Sequence, residues 1–87
     1  MLGNVNIKDV KLRSGDLIKL LRKREGLTQE QLAEKLNLSR ITIQNLESGK
    51  NATVDTLLKV LQHFELLNSF QQYLENEISN NNQDSLY

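Results

Sequence analysis

The sequence predicts an all-α domain of five helices, with a short extended arm ahead of them and a disordered tail behind. Three observations lead there. Apolar residues recur at helical spacing from Leu17 to Ile78. Ser, Thr and Asn stand just ahead of those runs, and Gly or Asn just behind them, as helix starts and stops require. The chain has no proline and few aromatic residues, which suits helices. The expected boundaries are 1–13 for the arm, 14–78 for the helical domain with its central motif at 28–48, and 79–87 for the tail.

The arm, MLGNVNIKDVKLR, places Val5, Ile7, Val10 and Leu12 at a period nearer two than 3.6. Two readings are open. It is a short strand that pairs with the same arm of a second subunit, or a frayed segment whose Lys8, Lys11 and Arg13 hang beside whatever polyanion the chain binds. Ser14 is the expected cap of the first helix, with Asp16 favourably placed in its first turn. Leu17, Ile18, Leu20 and Leu21 are its expected inner face. Its basic end, Lys19, Arg22, Lys23 and Arg24, complements the helix dipole and is also open to phosphate. Gly26 stops the helix and Leu27 re-enters the core.

Thr28 and Gln31 have the spacing of a capping box for the second helix. Leu32, Ala33 and Leu36 give it one apolar face, and the small Ala33 lets a partner helix cross closely. Asn37 tolerates the left-handed backbone that a tight turn needs, and Leu38 plugs the space behind it. Ser39 caps the third helix, Ile43 and Leu46 point inward, and Gly49 closes it. Two helices of about eight residues, joined by a turn of about three to four, make a compact αα unit. After the loop Lys50-Asn51-Ala52, Thr53 caps a fourth helix, on which Val54, Leu57, Leu58, Val60, Leu61 and Phe64 form a broad apolar face. Asn68 and Gln71 mark the start of the fifth, striped by Phe70, Tyr73, Leu74 and Ile78. That stripe either covers the core of its own chain or forms a dimer interface with Phe64 and Leu67. Apolar residues on two helices exceed what a small core uses, which favours the interface. SNNNQDSLY is polar and low in complexity, hence the expected disorder. Its Leu86-Tyr87 end reads as accidental or as a short linear motif for a partner.

Composition removes several function classes. There is no cysteine and a single histidine, His63, so thiol chemistry, disulfides and Cys/His metal sites are excluded. No Gly-rich phosphate loop or metal-spaced cluster is present, and Glu75 and Glu77 fall on different helix faces. The chain is therefore read as a non-enzyme with no cofactor and no metal. It has no apolar run of membrane-spanning length, so no membrane partner is expected and a cytoplasmic, nucleoid-associated location is. Net charge is zero, but residues 1–50 carry +4 and residues 51–87 carry −4. A basic half beside an acidic half suits nucleic acid at one end and something else at the other.

Arg40, Ile41, Thr42, Gln44, Asn45 and Ser48 remain on the third helix once its inward residues are assigned. Arg can bond guanine bidentately, Asn or Gln adenine, and an exposed Ile can touch a thymine methyl. A plain solvated face is the alternative, but exposed β-branched Ile41 and Thr42 are poor choices for it. With LTQEQLA at its opening, Ile43 within and NLESGK at its close, the stretch resembles the lambda-repressor/Cro-like (XRE) helix-turn-helix family, from about Asp16 to Leu66. The family normally places glycine where this chain has Asn37. The resemblance implies a lambda-repressor-like fold and double-stranded DNA as partner. It implies that Gln29 contacts a backbone phosphate and braces the third helix, that Ser39, Arg40, Ile41, Gln44 and Asn45 face bases, and that Ser48, Lys50 and Asn51 meet phosphate. Arg22 and Glu47 match a partly buried ion pair of some members.

The leading expectation is a sequence-specific transcriptional regulator, a repressor acting as a homodimer on a palindromic operator. The alternative differs in class. NATVDTLLKVLQHFELLNSF is similar to HipB-type antitoxins, and that similarity implies a HipA-type toxin kinase as partner, neutralised by the chain, and autorepression of a shared operon. Restriction-modification controller and phage repressor stay open.

Overall fold

The computed structural model describes residues 3–85. Five helices follow in order: α1 (Ile7–Arg24), α2 (Gln29–Leu36), α3 (Arg40–Glu47), α4 (Val54–His63) and α5 (Leu67–Ser85). There is no strand among the described residues, as the all-α reading requires. Ile18 of α1, Leu32 and Ala33 of α2, Ile43 and Leu46 of α3, and Val60 of α4 form the buried core. Leu27, Leu36, Leu38, Leu57 and Phe64 pack around it.

The boundaries follow local chemistry. Thr28 caps α2 and Gln31 reaches back to complete the capping box. Ser39 and Thr53 cap α3 and α4 by accepting from the backbone N–H three residues on. Asn37 takes the left-handed turn at φ 58°. Gly26 and Gly49 stop α1 and α3 at φ 72° and 77°. Each sits in a Schellman pair, with Leu27 N–H donating to Arg22 O and Lys50 N–H to Asn45 O.

Several expectations are corrected. Residues 7–13 of the arm are not extended: α1 begins at Ile7, capped by Asn6, whose own backbone is extended, in a reciprocal box with Asp9. A capping box outweighs a loose period-two pattern, so the strand reading of residues 7–13 falls. Ser14 is inside the helix rather than at its start. Leu17 and Leu20 are exposed, and Gly15, Ile18 and Arg22 face inward instead. Asn68 lies in the first turn of α5, not ahead of it. Residues 79–85 are helical, not disordered. Nothing in that polar run breaks a helix, and Asn81 Nδ2 bonds back to Glu77 O at 2.8 Å, continuing the Gln72–Asn76 pairing one turn earlier. Leu86 and Tyr87 lie outside the described residues. α4 ends without glycine: Glu65 itself takes φ 61°.

Candidate nucleic-acid interface

α3 is fixed from its inner side and left unengaged on its outer side. Ile43 is fully buried and Leu46 nearly so, packed with Leu32 and Ala33 of α2. Glu47, at the end of α3, is buried despite its charge. Arg22 of α1 grips it with both prongs, Nε to Oε2 at 2.6 Å and Nη2 to Oε1 at 3.0 Å. The third guanidinium nitrogen, Nη1, donates to the Leu27 carbonyl at 2.7 Å. Gln29 Nε2 adds a donor to Glu47 Oε1 at 3.0 Å. One network thus ties α1, the turn before α2, the start of α2 and the end of α3. No buried side-chain nitrogen or oxygen is left without a partner among the described residues. Such a pair fixes the angle of α3 more than it adds net stability.

The Arg22–Glu47 pair that the resemblance implied is present, and Gln29 bonds the same carboxylate. Sequence reasoning missed the closest contact of all. Gly15 of α1 lies against the backbone at the end of α3, where an added β-carbon would stand 2.3 Å from the Glu47 carbonyl oxygen and 2.8 Å from that of Leu46. The buried small residue one inward face away from Ile18 was the available signal.

Arg40, Ile41 and Gln44 are exposed on the outer face of α3, with Asn45 half-buried beside them. Among the described residues, no hydrogen bond or ion pair within the chain engages the side chains of Arg40, Gln44 or Asn45. Ile41 keeps 62% of its surface exposed, a cost with no compensation inside this chain. Four groups suited to base edges therefore lie on two turns of one rigid helix, starting at its N-terminus.

The remaining residues divide. Ser39 serves first as the cap, and its hydroxyl shares a 2.8 Å bond with Thr42 Oγ1, so these two shape the helix start. Ser48 donates its one hydroxyl hydrogen to the carbonyls of Gln44 and Asn45, at 2.9 and 3.2 Å. A phosphate contact from Ser48 requires that hydroxyl to rotate. Lys50 and Asn51 are exposed on the loop after α3. Of the residues expected at a dimer interface, Phe64 packs on the core of its own chain and edge-on to His63, with ring centres 4.8 Å apart. Leu67 is half-buried, whereas Phe70, Tyr73 and Leu74 are exposed along α5 with Ile78. His63 bonds Glu25 across the α1–α4 junction at 2.9 Å. No group of three His, Cys, Asp or Glu residues could hold a metal ion among the described residues. No helix there is long and apolar enough to cross a membrane.

Comparison with known proteins gives two results. A family described as "Helix-turn-helix" matches residues 18–66, more than half of the chain. Antitoxin HipB of Escherichia coli (strain K12) is 42% identical over 50 residues, covering 56% of this chain and 57% of that protein. Antitoxin HipB of Escherichia coli O6:H1 is 40% identical over 50 residues, covering 56% and 53%. The chain thus spans little more than half the length of the relatives it matches.

Proposed function

The chain belongs to the helix-turn-helix family, and from that premise we propose that it binds operator DNA through the outer face of α3 and acts as an antitoxin. The carrying observation for DNA is the contrast between the two faces of α3. Its inner face is locked by a buried ion pair, while Arg40, Ile41, Gln44 and Asn45 have no task inside the chain. In this reading those four residues contact base edges. Gln29, Lys50 and Asn51 position the duplex through phosphates, with Ser39 and Thr42 setting the helix start. Two copies would set two α3 helices about one DNA turn, ~34 Å, apart on a palindrome. The exposed stripe Phe70, Tyr73, Leu74 and Ile78 of α5 is the surface on which they would pair.

The resemblance to two HipB antitoxins favours an antitoxin over a stand-alone repressor. The partner is then a toxin protein of the HipA-type kinase class, held and neutralised by the chain, which also represses their shared operon from the cytoplasmic nucleoid. The acidic half of the chain, net −4 over residues 51–87, is compatible with a protein partner there.

The test is a pull-down from native lysate after DNase treatment, read by mass spectrometry. A stoichiometric kinase-like partner supports the antitoxin. Recovery of the chain alone favours the dimeric repressor, and failure to select any duplex from a random pool removes the DNA reading.

A further inference from the structure

Three contacts seat the N-terminal half of α1, residues 7–15, along the end of α3 and its loop. Gly15 meets the backbone of Leu46 and Glu47. Leu12 covers Gly49, so that a β-carbon at Gly49 would fall 2.8 Å from Leu12 Cδ2. Lys11 reaches the loop itself and donates from Nζ to Asn51 Oδ1. Residues 8, 11, 12 and 15 share one stripe of a helix. The exposed Lys8 therefore follows Lys11 on the side that faces the loop.

The direction of the Lys11–Asn51 bond has a chemical result. An ammonium group has only hydrogens to give, so it must take the oxygen of the Asn51 amide. The two Nδ2 hydrogens of Asn51 are thereby turned away from Lys11, with no partner among the described residues. Two hydrogens of the Lys11 ammonium are also unengaged, and neither Lys11 nor the adjacent Lys50 meets a carboxylate there. The result is a cluster of side-chain donors and positive charge, held by two glycine contacts. Its fit is to a singly charged group rich in acceptor oxygens, as a DNA phosphodiester is.

We propose that Lys11, Asn51 and Lys50 form a phosphate clamp that grips the DNA backbone beside the α3 face, with Lys8 adding charge to the same strand. This rests on the DNA-binding reading above. The N-terminal turns of α1 thus belong to the DNA-binding surface, and Lys11 has two roles: it contacts phosphate, and it turns the Asn51 amide so that its hydrogens face the same strand.

The experiment uses the full chain, a duplex selected from a random pool by the wild-type protein, and an unrelated duplex of equal length. Affinity is read by fluorescence anisotropy across a salt series. Lys11→Gln can still donate to Asn51 but lacks the charge. It should shallow the slope of log affinity against log salt by about 0.9 and weaken both duplexes alike, by about eightfold at 0.1 M salt. Lys11→Arg should keep the wild-type slope, as should Lys59→Gln on α4. A folded fraction that circular dichroism shows to be constant across the salt series leaves the slope unchanged, so a partly unfolded variant is not mistaken for a lost contact. An unchanged slope for Lys11→Gln overturns the clamp while leaving DNA binding intact, as does a loss confined to the selected duplex. A wild-type protein that binds neither duplex overturns both readings.

Discussion

Replacing Arg22 by methionine should cost this domain most of its stability, and replacing Glu47 as well should return much of it. The Glu47 carboxylate accepts three hydrogen bonds, two from Arg22 and one from Gln29. Its side chain is only 4% exposed, so water cannot substitute when Arg22 is gone. Breaking a buried pair from one side costs about 3–5 kcal/mol. Small domains have about 5–15 kcal/mol in all, so Arg22→Met stands near the folding threshold, with a melting temperature lower by about 12–40 °C. Arg22→Met/Glu47→Leu removes both charges together, and apolar replacement of a whole pair is often close to neutral. The double variant should therefore be more stable than Arg22→Met alone. Urea melts followed by circular dichroism at 222 nm, with Glu47→Leu as the fourth corner of the cycle, measure the coupling. Additive losses would falsify the account. So would a cost below about 1 kcal/mol for Arg22→Met, the behaviour of an exposed pair.

Gly15→Ala should lower the urea midpoint by the equivalent of about 1–3 kcal/mol, although alanine is the better helix former by about 1 kcal/mol. The new methyl group meets backbone, which cannot rotate away; a raised midpoint would show that α1 shifts freely. Glu65→Gly should add about 1 kcal/mol by removing the left-handed strain at φ 61°, visible as a higher melting temperature in calorimetry. Arg40→Ala should cost about 1–3 kcal/mol of binding and relax preference at one base pair; an equal loss on every sequence would make Arg40 a phosphate contact. Lys50→Ala should shallow the salt slope by about one unit, whereas Ser48→Ala should leave it nearly unchanged, since its hydroxyl is engaged with Gln44 and Asn45 carbonyls.

The middle of the chain was legible because its signals are local. Thr28 with Gln31, Asn37, Ser39 and Gly49 each act within four residues, and each sits where that local chemistry puts it. The ends were not legible in the same way. Val5, Ile7, Val10 and Leu12 alternate, but Asn6 and Asp9 close a capping box that fixes helix from Ile7 onward. Low complexity at residues 79–85 suggested disorder, yet a run without proline or glycine continues a helix already begun. The inner face of α1 also differs from the expected one: Gly15 and Arg22 face inward while Leu17 and Leu20 face out. A glycine and an arginine carry little hydrophobic signal, so periodicity alone selects the leucines. Glu65 was invisible because glutamate is not a residue that stops helices in the left-handed conformation. Among the candidate contacts, the Arg22–Glu47 pair was legible only through resemblance, since 25 residues separate its members.

The placement of α1 and α5 bears on how one small chain could hold DNA and a protein together. α1 is seated against α3 by Gly15, Arg22 and Leu12, so anything that moves α1 moves the face that carries Arg40 and Gln44. α5 packs chiefly on α4, and its length of about 28 Å leaves residues 70–82 exposed. A helix rich in Asn and Ser is marginal by itself, so a second copy or a protein partner that covers Phe70, Tyr73, Leu74 and Ile78 would also stabilise the helix it binds. The surface is separated in sequence from the Arg22–Glu47 network, and α5 packs chiefly on α4 rather than on α1 or α3.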